Sequence, residues 1–287
     1  MREYGEVIKE FRVGKNMSLL EVSNGVMSIS QLSKFERGET EIVFHKMRGL
    51  LANLNVTFEE LELAVCEYSG NDFKSLLIKI RKYYSETNIG RLQALVKQEL
   101  FLYKETNLVS HKLNAICIKS YLHNIDKAKF PVKLSEKHFI SEYLFSIEKW
   151  TKYEILLFTN SISILTIDTV FSLTKEMIKL TVNYKSVDQY NRVLIQSLVN
   201  VCILGIENQR FSEVFFFKKV LSEFLLDDTF LYEKNVLRFL DGYLEYACSN
   251  KKRGMSLMKS AIGVFEMLDS VNLAYNFSNY LKEKETI

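Results

Sequence analysis

A single proline, Pro131, interrupts 287 residues, and glycine occurs only 11 times. Proline stops a helix most firmly, because it lacks a backbone N–H and its ring clashes with the preceding turn. A chain with so few breakers is poor material for a loop-rich β fold and well suited to helices throughout. Hydrophobic residues make up 47% and charged residues 25%, which is a globular rather than a disordered balance. The length is too great for one compact core, and a prior of about 150 residues per domain predicts two units.

Local start signals sharpen this picture. In SLLEVSNGVMSISQLSKFERGE, Ser18 to Glu39, Ser18 with Glu21 and Ser28 with Gln31 each form the Ser-x-x-Glu/Gln capping box. Gly25 between them suits the left-handed residue just past a helix end. The stretch therefore predicts helix, tight turn, helix. In the second helix Leu32 and Phe35 face inward with Ile29 at the edge of their stripe, while Ser30, Gln31, Ser33 and Lys34 face out. Val7, Ile8, Phe11 and Val13 mark a preceding helix. The segment VFHKMRGLLANLNV and a third box at Thr57-Phe58-Glu59-Glu60 predict two more, making five helices in residues 1–66.

This segment resembles the phage-repressor-like helix-turn-helix class, with Ser28 capping the recognition helix and Phe35-Glu36-Arg37-Gly38 closing it. In that class an arginine six residues before the second-helix cap pairs with the closing glutamate, and here those residues are Arg12 and Glu36. The resemblance implies that Ser28–Arg37 enters the major groove of double-stranded promoter DNA. Chemically, Gln31 suits adenine, Lys34 suits guanine O6/N7, Ser30 serves either, and Ile29 suits a thymine methyl. Lys15, Ser28 and Arg37 suit phosphates. Arg12 and Ser33 complete the expected DNA-binding set. The alternative is a five-helix bundle used for protein contact. Net charge is +3 overall, and the first 66 residues carry eight Lys/Arg against ten Asp/Glu, so any DNA contact is local rather than a diffuse basic clamp.

Beyond Cys66 the pattern turns to amphipathic helices. Leu76, Leu77, Ile80, Tyr83 and Tyr84 form one stripe, and Leu92, Leu95, Val96, Leu100 and Tyr103 another. Asp126 to Leu134, around Pro131, is the one obvious break. Helix pairs are predicted to start near Lys152, Asp188 and Phe230, spacings close to the ~34–47 residues of helical-repeat solenoids. The expected fold is thus all-α: a five-helix helix-turn-helix domain over 1–66 and a tetratricopeptide-like repeat domain over 67–287. Asn160, Tyr184, Tyr190, Asn200, Arg238 and Tyr243 interrupt otherwise apolar helices. Such residues in a groove would satisfy a bound peptide's main chain, take its carboxylate on Arg238 and pack aromatic rings on its side chains. Each taken alone also reads as an inter-helix hydrogen bond or a solvent-facing residue.

Two stretches, GVMSISQLSKFERGE and WTKYEILLFTNSISIL (Trp150 to Leu165), make the whole chain resemble the Rgg/GadR/MutR family of Gram-positive transcription regulators. The resemblance implies a cytoplasmic quorum-sensing regulator. It would be a homodimer with exchanged DNA-binding domains, whose repeat region dimerises and binds a short hydrophobic peptide imported from outside. Some members link the two DNA-binding domains through a cysteine in the fourth helix. Here the chain has His45 and no cysteine before Cys66. The competing expectation is constitutive DNA binding, with the helical region only a dimer or protein-interaction scaffold.

Other classes find no support. His45, His111, His123 and His138 are isolated from one another, and no H-E-x-x-H, Walker loop, G-x-G-x-x-G or G-x-S-x-G occurs, so neither catalytic residues, a metal nor a cofactor is expected. Four scattered cysteines read as free thiols of a reducing cytoplasm. No apolar run reaches the ~18 residues of a membrane-spanning helix. Lys251-Lys252-Arg253 reads as a solvated loop, and Phe215-Phe216-Phe217 as a buried inter-repeat contact or dimer interface.

Overall fold

The computed structural model describes residues 2–66, 73–181, 188–225 and 228–285. Among these residues sixteen α-helices and one 3-10 turn occur and no strand. The chain falls into two compact units, Met1–Ser85 and Glu86–Ile287.

The first unit holds α1 (Tyr4–Gly14), α2 (Leu19–Ser23), α3 (Ile29–Glu36), α4 (Phe44–Leu54), α5 (Phe58–Val65) and α6 (Phe73–Ser85). The three capping boxes are formed at Ser18, Ser28 and Thr57. Val7 and Ile8 of α1 meet Leu32 and Phe35 of α3, Leu50 and Leu54 of α4, and Leu61 of α5 in one buried cluster. Ile29, at the edge of the stripe, stays 45% exposed. The change of pattern after Cys66 places the start of the second domain at residue 67, whereas α6, with Leu77 and Ile80 buried, groups with the first unit.

The second unit holds α7 (Ile89–Thr106), α8 (Val109–Ile125), α9 (Leu134–Ser146), α10 (Lys152–Thr159), α11 (Ile167–Leu180), α12 (Asp188–Glu207), α13 (Phe211–Phe224), α14 (Leu231–Cys248), α15 (Lys251–Met267) and α16 (Val271–Glu285). The expected starts near Lys152, Asp188 and Phe230 are the starts of α10, α12 and α14. Sequential neighbours pair, as in α7 with α8, α12 with α13 and α14 with α15. Helices two apart also pack, α8 on α10, α10 on α12 and α12 on α14, which is the arrangement of stacked helical pairs. The break around Pro131 separates α8 from α9.

Local chemistry explains several joints. A buried Glu99 on α7 meets His111 Nδ1 at 2.8 Å and accepts from Asn114 Nδ2 at 3.0 Å, tying α7 to α8. Trp150 is fully buried, donates to the Leu144 carbonyl at 3.2 Å and sits edge-on to Phe158. Glu154 closes the Thr151 cap and accepts from the Tyr143 hydroxyl, so the WTKYE stretch serves packing. Burial, then the carboxylate of Glu154, pushes the Tyr143 phenol well above its ordinary value. Gly242 and Gly254 let α14 and α15 touch backbone to backbone: a Cβ on Gly254 would lie 2.3 Å from the Tyr246 nitrogen. Of the phenylalanine triplet only Phe217 is buried, while Phe215 and Phe216 are about half exposed. No helix among the described residues is long and apolar enough to cross a membrane.

Candidate nucleic-acid interface and ligand groove

The turn between α2 and α3 is built by three devices. Gly25 takes the left-handed conformation at φ +68°. The Ser23 carbonyl accepts from the N–H groups of Val26 and Met27. Asn53, from α4, donates to the Val22 and Asn24 carbonyls, both at 2.9 Å, and so clamps the turn from outside. Asn53, in the last turn of α4, is the only trace of this clamp in the sequence.

The start of α3 is capped reciprocally, with Gln31 N–H donating to Ser28 Oγ at 3.2 Å and Ser28 N–H to Gln31 Oε1 at 3.4 Å. Its end is a Schellman motif: Gly38, at φ +71°, donates to the Phe35 carbonyl, and Glu39 donates to that of Lys34. Gly5 of α1 lies against this end, where a Cβ would fall 1.9 Å from the Phe35 oxygen. The helix is therefore fixed at both ends and pressed on its inner face by α1.

Ser28, Ser30, Gln31, Lys34 and Arg37 are exposed along α3 and its caps, Ser33 is half-buried, and Lys15 is exposed at the end of α1. Lys34 is in no ion pair among the described residues and is available to a partner. Arg37 is held by Glu39 at 2.6 and 3.0 Å and by Ser33, an exposed arrangement that a phosphate can replace at small cost. Lys15 donates to the Asn55 carbonyl at 3.3 Å. Gln31 has less freedom than the sequence reading assigned it, since its Oε1 closes the cap. A two-point contact to adenine needs that oxygen as well as the amide NH2, so it must release a bond that is already long.

Arg12 is drawn inward by an ion pair. Its Nε and Nη2 each donate to a Glu36 oxygen at 2.7 Å, and Nη1 donates to the Met17 carbonyl at 3.1 Å. The side chains are 14% and 4% exposed. With the planar guanidinium engaged on both edges, Arg12 positions α3 against α1 and is not free to take a phosphate. The Glu36 hydrogen bonds hold its guanidinium still more firmly protonated.

In the second unit a cavity of 190 Å³ opens between α12, α14 and α16. Ile195, Val199, Val236 and Phe277 supply apolar wall, with Tyr232 and Asn200 beside them. Arg192, 64% exposed, reaches the buried Glu233 at 3.0 Å, so one edge of the cavity carries an exposed guanidinium over a sequestered carboxylate. An exposed arginine head next to apolar wall is suited to a chain end or a side-chain carboxylate.

Of the five described residues among the six expected to contact a peptide, only Asn200 lines this cavity, and its Oδ1 accepts from Gln196. Asn160 follows α10 and accepts from the Tyr121 hydroxyl, donates to Leu156 and receives Ser120 on its carbonyl, so it joins α8 to α10. Tyr243 shares the angular position of Val236 on α14 but is 5% exposed, covered by the Tyr280 ring at 5.6 Å. Arg238 is exposed yet lies two residues past Val236, roughly 200° around the helix, and so turns away from the cavity. Tyr190 is half-buried near the start of α12. Tyr184 lies outside the described residues. Arg192, Tyr232 and Glu233 line the cavity without any mark in the sequence pattern, because they meet only when α12 and α14 stack.

Residues 93–279 match the family described as HTH-type transcriptional regulator Rgg, C-terminal domain. The chain is similar to the crystal structure of the Streptococcus dysgalactiae SHP pheromone receptor Rgg2, at 28% identity and TM-score 0.80, over 98% of this chain and 100% of that one. It also shares its fold with a regulator-like protein of Listeria monocytogenes EGD-e, at 21% identity and TM-score 0.86, over 100% of this chain and 99% of that one. PrgX in its complex with cCF10 matches at 16% identity and TM-score 0.74, over 100% of this chain and 93% of that one, a likeness of fold alone.

Proposed function

Because the chain belongs to the Rgg family of HTH-type transcriptional regulators, we propose that it acts in the cytoplasm as a DNA-binding homodimer with exchanged DNA-binding domains, switched by a short hydrophobic peptide. One observation carries the DNA half: α3 is capped at both ends and held by Arg12–Glu36, yet leaves Ser30, Gln31 and Lys34 on an exposed face. That is a preorganised polar helix of the kind that reads base edges. The peptide half is supported by the match along almost the whole chain to a protein described as a pheromone receptor. The cavity between α12 and α14, with apolar wall and Arg192 at its edge, fits a hydrophobic chain bearing a carboxylate.

The peptide works only if it binds two conformations of the dimer unequally. We place the difference in the spacing of the two recognition helices, which must match half-sites about 34 Å apart. The test is fluorescence anisotropy of the protein's own upstream promoter DNA at one stated salt concentration, with and without hydrophobic peptides encoded beside the gene. Specific DNA binding changed by a peptide supports the reading. Specific DNA binding with no peptide bound favours a constitutive regulator whose repeats are a scaffold. Absence of specific binding overturns the assignment of α3.

A further inference from the structure

A second, larger cavity of 380 Å³ lies among α7, α8 and the segment that carries Pro131 into α9. It shares no lining residue with the cavity between α12 and α14. Its apolar wall is made by Val96, Leu122, Phe130 and Pro131. The wall is preformed. Asp126 Oδ1 accepts the N–H groups of Ala128 and Lys129, the Asp126 carbonyl accepts that of Phe130, and His123 donates to the Phe130 carbonyl at 3.0 Å.

Four lysines, Lys97, Lys119, Lys129 and Lys133, surround this wall. One carboxylate faces them, and it is already engaged: Glu136 pairs with Lys119 through one oxygen and accepts the Lys133 backbone N–H through the other at 3.2 Å. Lys97, Lys129 and Lys133 are in no ion pair among the described residues. Four lysines and one glutamate place +3 at this cavity, as much as the net charge of the entire chain. Three ammonium groups on flexible stems around an apolar wall repel one another and are relieved by an anion. A bare inorganic ion would leave the wall wet, whereas an apolar body would cover it. The volume falls in the range of small-molecule sites, about 300–1,000 Å³.

We propose that this cavity binds a small organic acid: an apolar body against Val96, Leu122, Phe130 and Pro131, and a carboxylate among Lys97, Lys129 and Lys133. The occupant we name is a free medium-chain fatty acid, since Gln93 is the one neutral amide among the lining residues and a peptide's main chain would need more.

The test uses the full chain and the fluorescent sulfonate 1-anilinonaphthalene-8-sulfonate, whose ring body and anionic group mimic both parts. We expect saturable binding at one site per chain, displaced by decanoate or by N-acetyl-trileucine but not by decyltrimethylammonium or N-acetyl-trileucine amide. Preference for decanoate over the tripeptide supports the proposal, and the reverse preference overturns it. The double variant Lys97→Ser/Lys129→Ser should weaken probe and competitor at least tenfold with an unchanged circular dichroism spectrum. Lys251→Ser/Lys252→Ser, which removes equal charge from the start of α15, should leave both affinities alone. Unchanged affinity in the first variant, equal loss in the two variants, or equal displacement by the cationic amphiphile would overturn the proposal.

Discussion

Helices α3 and α14 both carry candidate contact residues, but the exposure of those residues is decided in different ways. In α3 the exposed face is decided within about ten residues, by the Ser28 cap, the Leu32–Phe35 stripe and the Gly38 stop. In α14 the outcome depends on which helices stack beside it: Tyr232 and Val236 line a cavity with α12, Tyr243 is covered by α16, and Arg238 is left outside. Local hydrogen bonds specify a surface from sequence alone, whereas repeat packing specifies it only in three dimensions.

The strongest way to break this comparison is at the close contacts. Gly5→Val places atoms against the Phe35 backbone, which cannot yield as a side chain would, and should cost about 3 kcal/mol or more. Thermal unfolding should show the first unit melting early and operator affinity lost, with most helicity, contributed by the second unit, retained. Loss of both units together would show that the first is not an independent element.

Arg12→Ala comes next. It leaves Glu36 buried without its partner, an expected loss of about 3 kcal/mol in urea unfolding. Replacing both members by apolar residues, Arg12→Met with Glu36→Leu, should restore most of it while keeping DNA binding. Failure of the double variant to bind DNA despite recovered stability would give Arg12 the direct DNA role that its geometry argues against.

Lys34→Ala should weaken specific operator binding by about 1–3 kcal/mol and leave the melting temperature unchanged. Gln31→Ala should lose less affinity, because contact with a base competes with the cap, but it should cost about 0.5–1.5 kcal/mol of stability. Equal affinity losses would mean that the cap opens freely on DNA.

The smallest effect is expected at Arg238→Ala, which should leave any peptide response near the wild-type level. Arg192→Ala should reduce the response, and it should do so without changing DNA affinity of the peptide-free protein. A peptide response abolished by Arg238→Ala alone would place the groove on the other side of α14.

Legibility in the sequence follows the same division. The all-helical architecture, the three capping boxes and the starts of α10, α12 and α14 were readable because each rests on spacing within a turn or two. Arg12 was readable as the partner of Glu36 but not as too enclosed to reach DNA, since burial depends on α1 lying across α3. Asn160 and Tyr243 looked available because a polar residue among apolar ones has no visible partner in one dimension. Their partners, Tyr121 and Tyr280, lie 39 and 37 positions away in the chain. Asn53 escaped notice for the same reason, its two acceptors being on the far side of α3 in sequence.

The glycine contact between α14 and α15 bears on how the repeats deform. With Gly242 and Gly254 meeting at backbone distance, axial sliding of one helix on the other would drive neighbouring side chains into main chain. The contact thus favours movement of α14 and α15 as a unit, so that a displacement of the cavity wall at Tyr232 and Val236 would carry α15 with it. A ligand seated between α12 and α14 would then act on the seam between two helix pairs rather than within one.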